Sequence, residues 1–138
     1  DIETMGNGNN AAMIQLAGCY FDRKTGDTGS TFCMSLDLND VVDHGFEIDK
    51  STQDWWATQN QDILNAILAE GKPVKKVLKA FSDFAKDADY IWSHATFDFV
   101  IVQHYLWRFK LKWLPYKGAM DIRSLVELSG INLDEYDW

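Results

Sequence analysis

The feature that most constrains the fold is a continuous apolar stretch near the start of the chain. From Ala12 to Asp22, Gln15 is the only polar interruption before the closing aspartate. Turn-forming segments flank it, Met5–Asn10 before and Arg23–Ser30 after. An apolar run of this length between turns predicts a buried central strand, with the rest of the chain packed around it.

Two neighbouring segments are predicted to pair with this strand in an antiparallel meander. They are Asp1–Met5 and Thr31–Asp37, the second of which alternates apolar and polar residues. Leu38–Lys50 is irregular, and beyond it apolar residues recur at helical spacing. The later elements expected are a helix from Ser51 through Trp56, one marked by Ile63, Leu64, Ile67 and Leu68, a helix Val74–Ala88, a strand Asp89–His94, a helix Phe97–Lys110, a strand Lys117–Asp121 and a helix Ile122–Leu128.

This order predicts an α/β fold, in which a mixed sheet of about five strands, an antiparallel three-strand meander plus parallel strands, is flanked by helices. The 138 residues suit one domain spanning 1–138. Asn132–Trp138 ends abruptly, which leads us to expect that a C-terminal helix is missing. The chain lacks an initiator Met and an apolar run before Asp1, so we also expect trimming at the N-terminus.

Composition excludes some functions and sets the compartment that we expect. A net charge of −8 argues against binding duplexes by phosphate neutralisation, although bound metal ions could compensate the charge in a nuclease. No apolar run approaches the roughly 20 residues of a membrane span, and no signal peptide is visible. We therefore expect a cytoplasmic protein in which Cys19 and Cys33 are buried free thiols rather than a disulfide.

Three carboxylates are candidates for binding a divalent cation. Asp1 and Glu3 lie one residue apart on a predicted strand, so both side chains point to the same face. Asp98 follows the end of another strand at the first turn of a helix, where α/β proteins often place functional groups. Taken singly, the pair is typical of a solvated acidic end and Asp98 of a helix N-terminus. Taken together, they offer the oxygen ligands that Mg²⁺ prefers.

These residues resemble the motifs of the DEDD superfamily of 3′→5′ exonucleases, which have an RNase H-like fold. Asp1-Ile2-Glu3-Thr4 is similar to the first motif, and Phe97-Asp98 after a strand is similar to the second. Thr52–Trp56, together with Asp1–Gly6, resembles more specifically the small bacterial and phage exoribonucleases. The resemblance covers nearly the whole chain.

The resemblance implies a two-metal hydrolysis of phosphodiester bonds by two Mg²⁺ or Mn²⁺ ions. The catalytic and metal-binding residues would be Asp1, Glu3 and Asp98. Asp1 would bridge both ions, Glu3 would bind the ion that activates water, and Asp98 would bind the other ion mainly through water.

The same resemblance implies contacts with the terminal nucleotide. Thr4 and Met5 would offer backbone N–H groups and an apolar wedge. Trp55 and Trp56 cannot share a helix face, so we expect one to line the nucleotide pocket and the other to join the core. His94 could contact a substrate phosphate, and its alternative is a structural role.

Other residues are interpreted structurally. His104 is expected in the core of its helix. Asp121 is expected to cap the following helix, and Arg123 to pair with it or reach a phosphate.

The chain departs from the family pattern near its C-terminus. The third motif, His-x-x-x-x-Asp or Tyr-x-x-x-Asp, supplies a general base and a fourth carboxylate. After Leu128 the acidic residues Asp134, Glu135 and Asp137 have neither spacing. The general base is therefore unknown, and we expect it beyond Trp138, in the histidine form.

The prediction is a 3′→5′ exonuclease acting on single-stranded or overhanging ends and releasing nucleoside monophosphates, with RNA favoured over DNA. The alternative is a catalytically inactive module that binds nucleotides or a partner, which the absent third motif favours. A weaker rival is a phosphodiesterase acting on dinucleotides. No membrane partner is expected, whereas a homodimer is conceivable through Trp107, Trp113 and Trp138.

Overall fold

A computed structural model describes residues 1–94 and 96–135. Within these residues it contains five strands and six α-helices, with three strands first, then four helices, and then strands and helices in alternation. They are β1 (Ile2–Thr4), β2 (Met13–Phe21), β3 (Thr28–Ser35), α1 (Leu38–Asp43), α2 (Lys50–Ala57), α3 (Gln61–Ala69), α4 (Val74–Ala85), β4 (Ile91–Ser93), α5 (Asp98–Arg108), β5 (Ala119–Asp121) and α6 (Ile122–Ser129). Tyr116–Gly118 and Leu133–Glu135 form short 3₁₀ turns.

The strands confirm the predicted α/β class, with an antiparallel meander and parallel strands. β2 pairs with β1 on one edge and with β3 on the other, both antiparallel. β4 pairs in parallel with β5. In the described part of the chain these form two separate hydrogen-bonded sheets, where the sequence suggested a single mixed sheet.

The core lies where β2 packs against the helices that follow. Ile14 and Leu16 on β2 are fully buried, as are Val77 and Leu78 on α4. Tyr105 of α5 is also fully buried, and its ring stacks on Phe46 with centroids 3.7 Å apart. The apolar stretch identified in the sequence is therefore the central strand of the core.

Two predictions of local structure were wrong: one missed a helix, and the other placed the start of a helix one residue too late. Leu38–Lys50 is not irregular throughout, since Asp37 accepts hydrogen bonds from the N–H groups of Asn39 and Asp40 and begins α1. The second helix begins at Lys50 after Asp49 rather than at Ser51.

The two cysteines are free, as predicted, but they are exposed rather than buried. The hairpin register explains the error. Cys33 lies opposite Ala17, and Ala17 lies opposite Asp1 on the other edge of β2, so these residues share one face of the meander. The helices pack on the other face, which carries Leu16.

Gly118 is required where the chain passes close to the segment before β4. A Cβ added at Gly118 would lie 2.1 Å from the carbonyl oxygen of Asp89. Backbone cannot yield as a flexible side chain can, so we expect Gly118→Ala to destabilise the protein by about 3 kcal/mol, the upper end for overpacking. Urea unfolding measures this. Gly8→Ala is the control, because nothing lies within 4 Å of the added carbon, and an equal loss in both variants would contradict the close approach.

Several large apolar side chains remain on the surface. Trp107 and Trp113 are exposed, as are Leu125 and Leu128 on α6, and Trp138 lies outside the described residues. Among the described helices, the longest of which has 12 residues, none could cross a membrane.

Candidate active site

Asp1 and Glu3 project from β1 on the face opposite the core. The nitrogen of Asp1 donates to the carbonyl of Ala17 at 3.0 Å, and the N–H of Ala17 donates to the carbonyl of Asp1 at 3.0 Å. Asp1 therefore continues the ladder between β1 and β2. Ile2 and Thr4 are only 6% and 7% exposed. Alternation along the strand then places both acidic side chains on the other face, as the sequence predicted.

Asp98 meets β1 at its opposite edge. The N–H of Ile2 points away from β2 and donates to Oδ1 of Asp98 at 3.1 Å. The second oxygen, Oδ2, accepts the N–H of His94 at 3.2 Å. Asp98 is only 4% exposed. Its carboxylate therefore lies beside Ile2, the residue between Asp1 and Glu3.

The electrostatics of Glu3 report this proximity. Burial raises the pKa of Glu3, and the nearby Asp98 carboxylate raises it further. Two carboxylates close enough to repel each other form a site that a cation stabilises.

A divalent ion in this site would need the carboxylates of Asp1, Glu3 and Asp98 as ligands. Among the described residues, no three His, Cys, Asp or Glu side chains come close enough together to hold a metal ion. The structure brings Glu3 and Asp98 into electrostatic contact and places Asp1 one alternation step from Glu3. Mg²⁺ commonly takes one or two protein carboxylates and completes its shell with water and substrate phosphate. Glu3 and Asp98, with Asp1 on the same strand as Glu3, are the side chains that would hold such an ion, and water and substrate phosphate would have to complete its shell.

The turn after β1 is held by internal hydrogen bonds. The hydroxyl of Thr4 donates to the carbonyl of Gly6 at 2.6 Å. The N–H of Met5, predicted to face the nucleotide, donates to the carbonyl of Ala12 at 2.7 Å. Both side chains are buried. The Thr4 hydroxyl and the Met5 N–H therefore bind other groups of the protein and stabilise the turn at the edge of the site.

Trp55 and Trp56 differ in burial, as predicted, because one lies in the core and the other is exposed. Trp56 is 6% exposed, and its indole N–H donates to the carbonyl of Thr4 at 2.9 Å. Trp55 is 53% exposed and packs edge-on against Trp56. Trp56 therefore supports the end of β1, whereas Trp55 presents its indole ring to solvent.

The histidines differ in their relation to the site. His94 lies beside it, with Nδ1 3.8 Å from Oδ2 of Asp98 and a side chain that is 43% exposed. His104 is partly buried, and its Nε2 lies 3.3 Å from Oδ1 of Asn10. Burial lowers the pKa of His104, with Arg108 adding to the effect.

In the last third of the chain, Asp121 has a structural role, and the other described candidates are exposed. Asp121 caps α6 as predicted, because its carboxylate accepts the N–H and hydroxyl of Ser124. Arg123 is exposed. Asp134 and Glu135 lie in an exposed 3₁₀ turn, and Asp137 lies outside the described residues.

Sequence reasoning missed Asp49, which fixes the loop after β1. Its carboxylate accepts the N–H of Asn7 at 2.8 Å, and its own N–H donates to the carbonyl of Met5 at 2.8 Å. Oδ2 lies so close to Gly6 that an added Cβ there would approach it to 3.0 Å. The only signal in the sequence was an acidic residue immediately before a helix.

The described residues thus form an α/β fold with acidic residues at its first strand and at the start of α5. A protein-family description, 3′-5′ exoribonuclease Rv2179c-like domain, matches residues 1–137. The chain therefore belongs to this family of small 3′→5′ exonucleases of the DEDD type. No curated protein matches it.

Proposed function

We propose that the protein hydrolyses RNA from single-stranded or overhanging 3′ ends and releases nucleoside monophosphates, using two Mg²⁺ or Mn²⁺ ions. Asp1, Glu3 and Asp98 would bind the ions, which supply a metal-activated water and neutralise charge on the leaving oxygen. His94 and Trp55, which are both exposed in part, would contact the substrate. The general base is not assigned.

One observation supports this proposal above the others. The bond from the N–H of Ile2 to Asp98, at 3.1 Å, brings a residue 96 positions away to the strand that carries Asp1 and Glu3. The buried carboxylate of Asp98 lies next to a second acidic group, Glu3, and raises the pKa of Glu3. Among the described residues, neither carboxylate forms an ion pair with an arginine or lysine, and placing two carboxylates close together favours a cation or a proton between them. The family match supplies the reaction.

The proposal predicts an absolute dependence on divalent metal. A single-stranded RNA labelled at its 5′ end should shorten one nucleotide at a time with Mg²⁺ or Mn²⁺, and EDTA should stop the reaction. The released products, separated by chromatography, should be nucleoside 5′-monophosphates. A matched DNA strand tests sugar preference, and a strand with a blocked 3′ end tests polarity. Shortening in EDTA, or cleavage of the blocked strand, would contradict the proposal.

The tryptophan pair gives a second prediction that separates binding from stability. Trp55→Ala should raise KM about tenfold, because stacking of a base on an aromatic ring contributes about 1–3 kcal/mol. It should leave the unfolding midpoint nearly unchanged, since Trp55 is exposed. Trp56→Phe should instead lower stability by about 1 kcal/mol, because it removes the hydrogen bond to Thr4. The reverse pattern would remove Trp55 from the substrate site.

A second candidate is a module that binds a nucleotide 3′ end without cutting it. It is favoured by the lack of a three-ligand cluster among the described side chains. The two candidates differ in one measurement. A binding module would protect the 3′ end of a labelled RNA in the presence of Mn²⁺ and leave its length unchanged over hours.

We also propose a cytoplasmic location. Exposed thiols stay reduced in that compartment, and Cys19 and Cys33 are both free and exposed.

A further inference from the structure

One polar side chain interrupts the central strand. Gln15 lies on β2 between Ile14 and Leu16, which are fully buried, and is itself half-buried. Its amide Nε2 donates to the hydroxyl of Ser35 on β3 over a long distance of 3.5 Å. The amide oxygen accepts no hydrogen bond from the described residues and reaches solvent. The side chain therefore keeps part of its hydrogen-bonding capacity unused.

The register of the meander places Gln15 directly beside Glu3. Gln15 pairs with Glu3 on β1 and with Ser35 on β3, so the three side chains form a row on one face of the sheet. Asp1 and Ala17, one alternation step away, exchange two backbone hydrogen bonds. Glu3 and Gln15 therefore form a pair of the same kind, whose Cα atoms are about 5.5 Å apart. Gln15 is thus the neighbour of Glu3 on the face that carries the acidic residues.

The other uncharged polar side chains next to Glu3 in the described sheet already have partners. The hydroxyl of Thr4 donates to the carbonyl of Gly6. Ser35 is only 5% exposed, and its hydroxyl accepts from Gln15. An amide can donate and accept, whereas an ionised carboxylate only accepts. Gln15 is therefore the group beside Glu3 that is left to bind an uncharged polar part of a ligand.

The terminal ribose is the uncharged polar part of the substrate expected at this place. Cleavage at a 3′ end requires the last phosphodiester to reach the carboxylates, so the sugar of the terminal nucleotide lies within one nucleotide of them. That sugar carries a 3′-hydroxyl in both RNA and DNA, and a 2′-hydroxyl in RNA only. A hydroxyl both donates and accepts, so it matches the amide. A hydrogen atom in its place would leave the amide unpaired.

We propose that Gln15 binds the 2′-hydroxyl of the 3′-terminal ribose and thereby makes the site prefer RNA to DNA. This inference rests on the proposed function and goes further, because it names the residue that distinguishes the two sugars. Ser35 lies across β2 from Glu3 and anchors the amide from that side. A hydrogen bond between uncharged groups contributes about a three- to tenfold preference.

The test combines a variant with substrates that lack a single hydroxyl. Gln15→Met keeps the length of the side chain and removes its hydrogen-bonding groups. A 2′-deoxy substitution at the terminal nucleotide of an RNA should lower kcat/KM of the native protein about three- to tenfold. It should have no effect on kcat/KM of Gln15→Met. The same substitution at the penultimate nucleotide is the control and should affect both proteins equally.

Binding of the product gives a readout that does not require cleavage. Calorimetric titration with AMP and with 2′-deoxy-AMP in Mg²⁺ should show the same preference of about three- to tenfold. Gln15→Met should abolish it while its unfolding midpoint stays close to that of the native protein. If the native protein shows this preference without cutting RNA, the proposed hydrolysis fails and the inference about Gln15 stands.

Three other results overturn the inference. If Gln15→Met cuts RNA and keeps the native response to the terminal substitution, another group reads the hydroxyl, and the proposed function is unaffected. If Gln15→Met lowers turnover of every strand by the same factor, Gln15 has a structural role only. If the native protein neither cuts RNA nor distinguishes the two nucleotides, the proposed function and this inference are both wrong.

Discussion

Replacing Asp98 by asparagine is expected to lower the rate of exonuclease turnover about a thousandfold while the protein stays folded. The substitution keeps the shape of the side chain and removes its charge, so the proposed metal site would lose one of its carboxylates. Losing several kcal/mol of metal-derived stabilisation in the transition state corresponds to a factor of this size. Single-turnover assays on labelled RNA at saturating Mn²⁺ measure it.

The same substitution has a smaller structural cost that must be measured separately. Asp98 accepts two backbone N–H groups, one from Ile2 and one from His94. An amide can accept only one of them with its oxygen and turns its NH₂ toward the other, which costs about 1–3 kcal/mol. Natural domains have about 5–15 kcal/mol of stability, so the variant should remain folded.

Asp83→Asn is the matched control for Asp98→Asn. Asp83 is an exposed aspartate on α4, so its replacement removes the same charge away from the site. It should leave both turnover and stability unchanged. If Asp98→Asn retains at least a tenth of the turnover while the control is normal, Asp98 does not bind a catalytic ion.

The acidic residues were predictable because their signals are local. Asp1 and Glu3 needed only the alternation of a strand, and Asp98 needed only a strand followed by a helix. The sequence could not predict the contact that brings Asp98 to the strand carrying Asp1 and Glu3. The Ile2 to Asp98 bond joins residues 96 positions apart and depends on how α5 packs against β1.

The supporting residues were not predictable for a related reason. Asp49 and Trp56 hold the end of β1 and the loop after it by binding backbone groups. Because nearly every residue has a backbone N–H and carbonyl, the sequence does not show which of them a side chain will bind. Cys19 and Cys33 were misassigned because both faces of the meander carry apolar residues, so composition does not reveal which face the helices cover.

Removing the hydroxyl of Tyr105 is expected to give one of the largest losses of stability of any single-atom deletion in this protein. The hydroxyl accepts the N–H of Met13 at 2.8 Å and donates to the carbonyl of Ala11 at 2.9 Å. All of this lies in the fully buried core. Tyr105→Phe leaves a donor and an acceptor unpaired, and each such group costs about 1–3 kcal/mol. For the two groups together we expect a loss of about 2–6 kcal/mol in urea unfolding.

Two further variants bracket the effect. Tyr105→Ala also removes the ring that stacks on Phe46, which adds a cavity cost of about 3–5 kcal/mol and should abolish cooperative folding. Tyr116→Phe removes the phenolic hydroxyl of a residue that is 72% exposed and should cost nothing measurable. A loss below 1 kcal/mol for Tyr105→Phe would mean that Ala11 and Met13 find other partners.

The pH dependence of stability gives Tyr105 a signature that packing alone would not. Burial raises the pKa of Tyr105 above its ordinary value, although the N–H of Met13 and Arg108 oppose the shift. In the unfolded chain this tyrosine loses its proton near pH 10, whereas the folded protein keeps it. The unfolded state then binds fewer protons, so Tyr105 contributes full stability below about pH 10 and loses it as pH rises beyond that value. Tyr105→Phe should flatten this alkaline fall relative to Tyr116→Phe, and identical slopes would show that the phenol of Tyr105 is not buried in the folded protein.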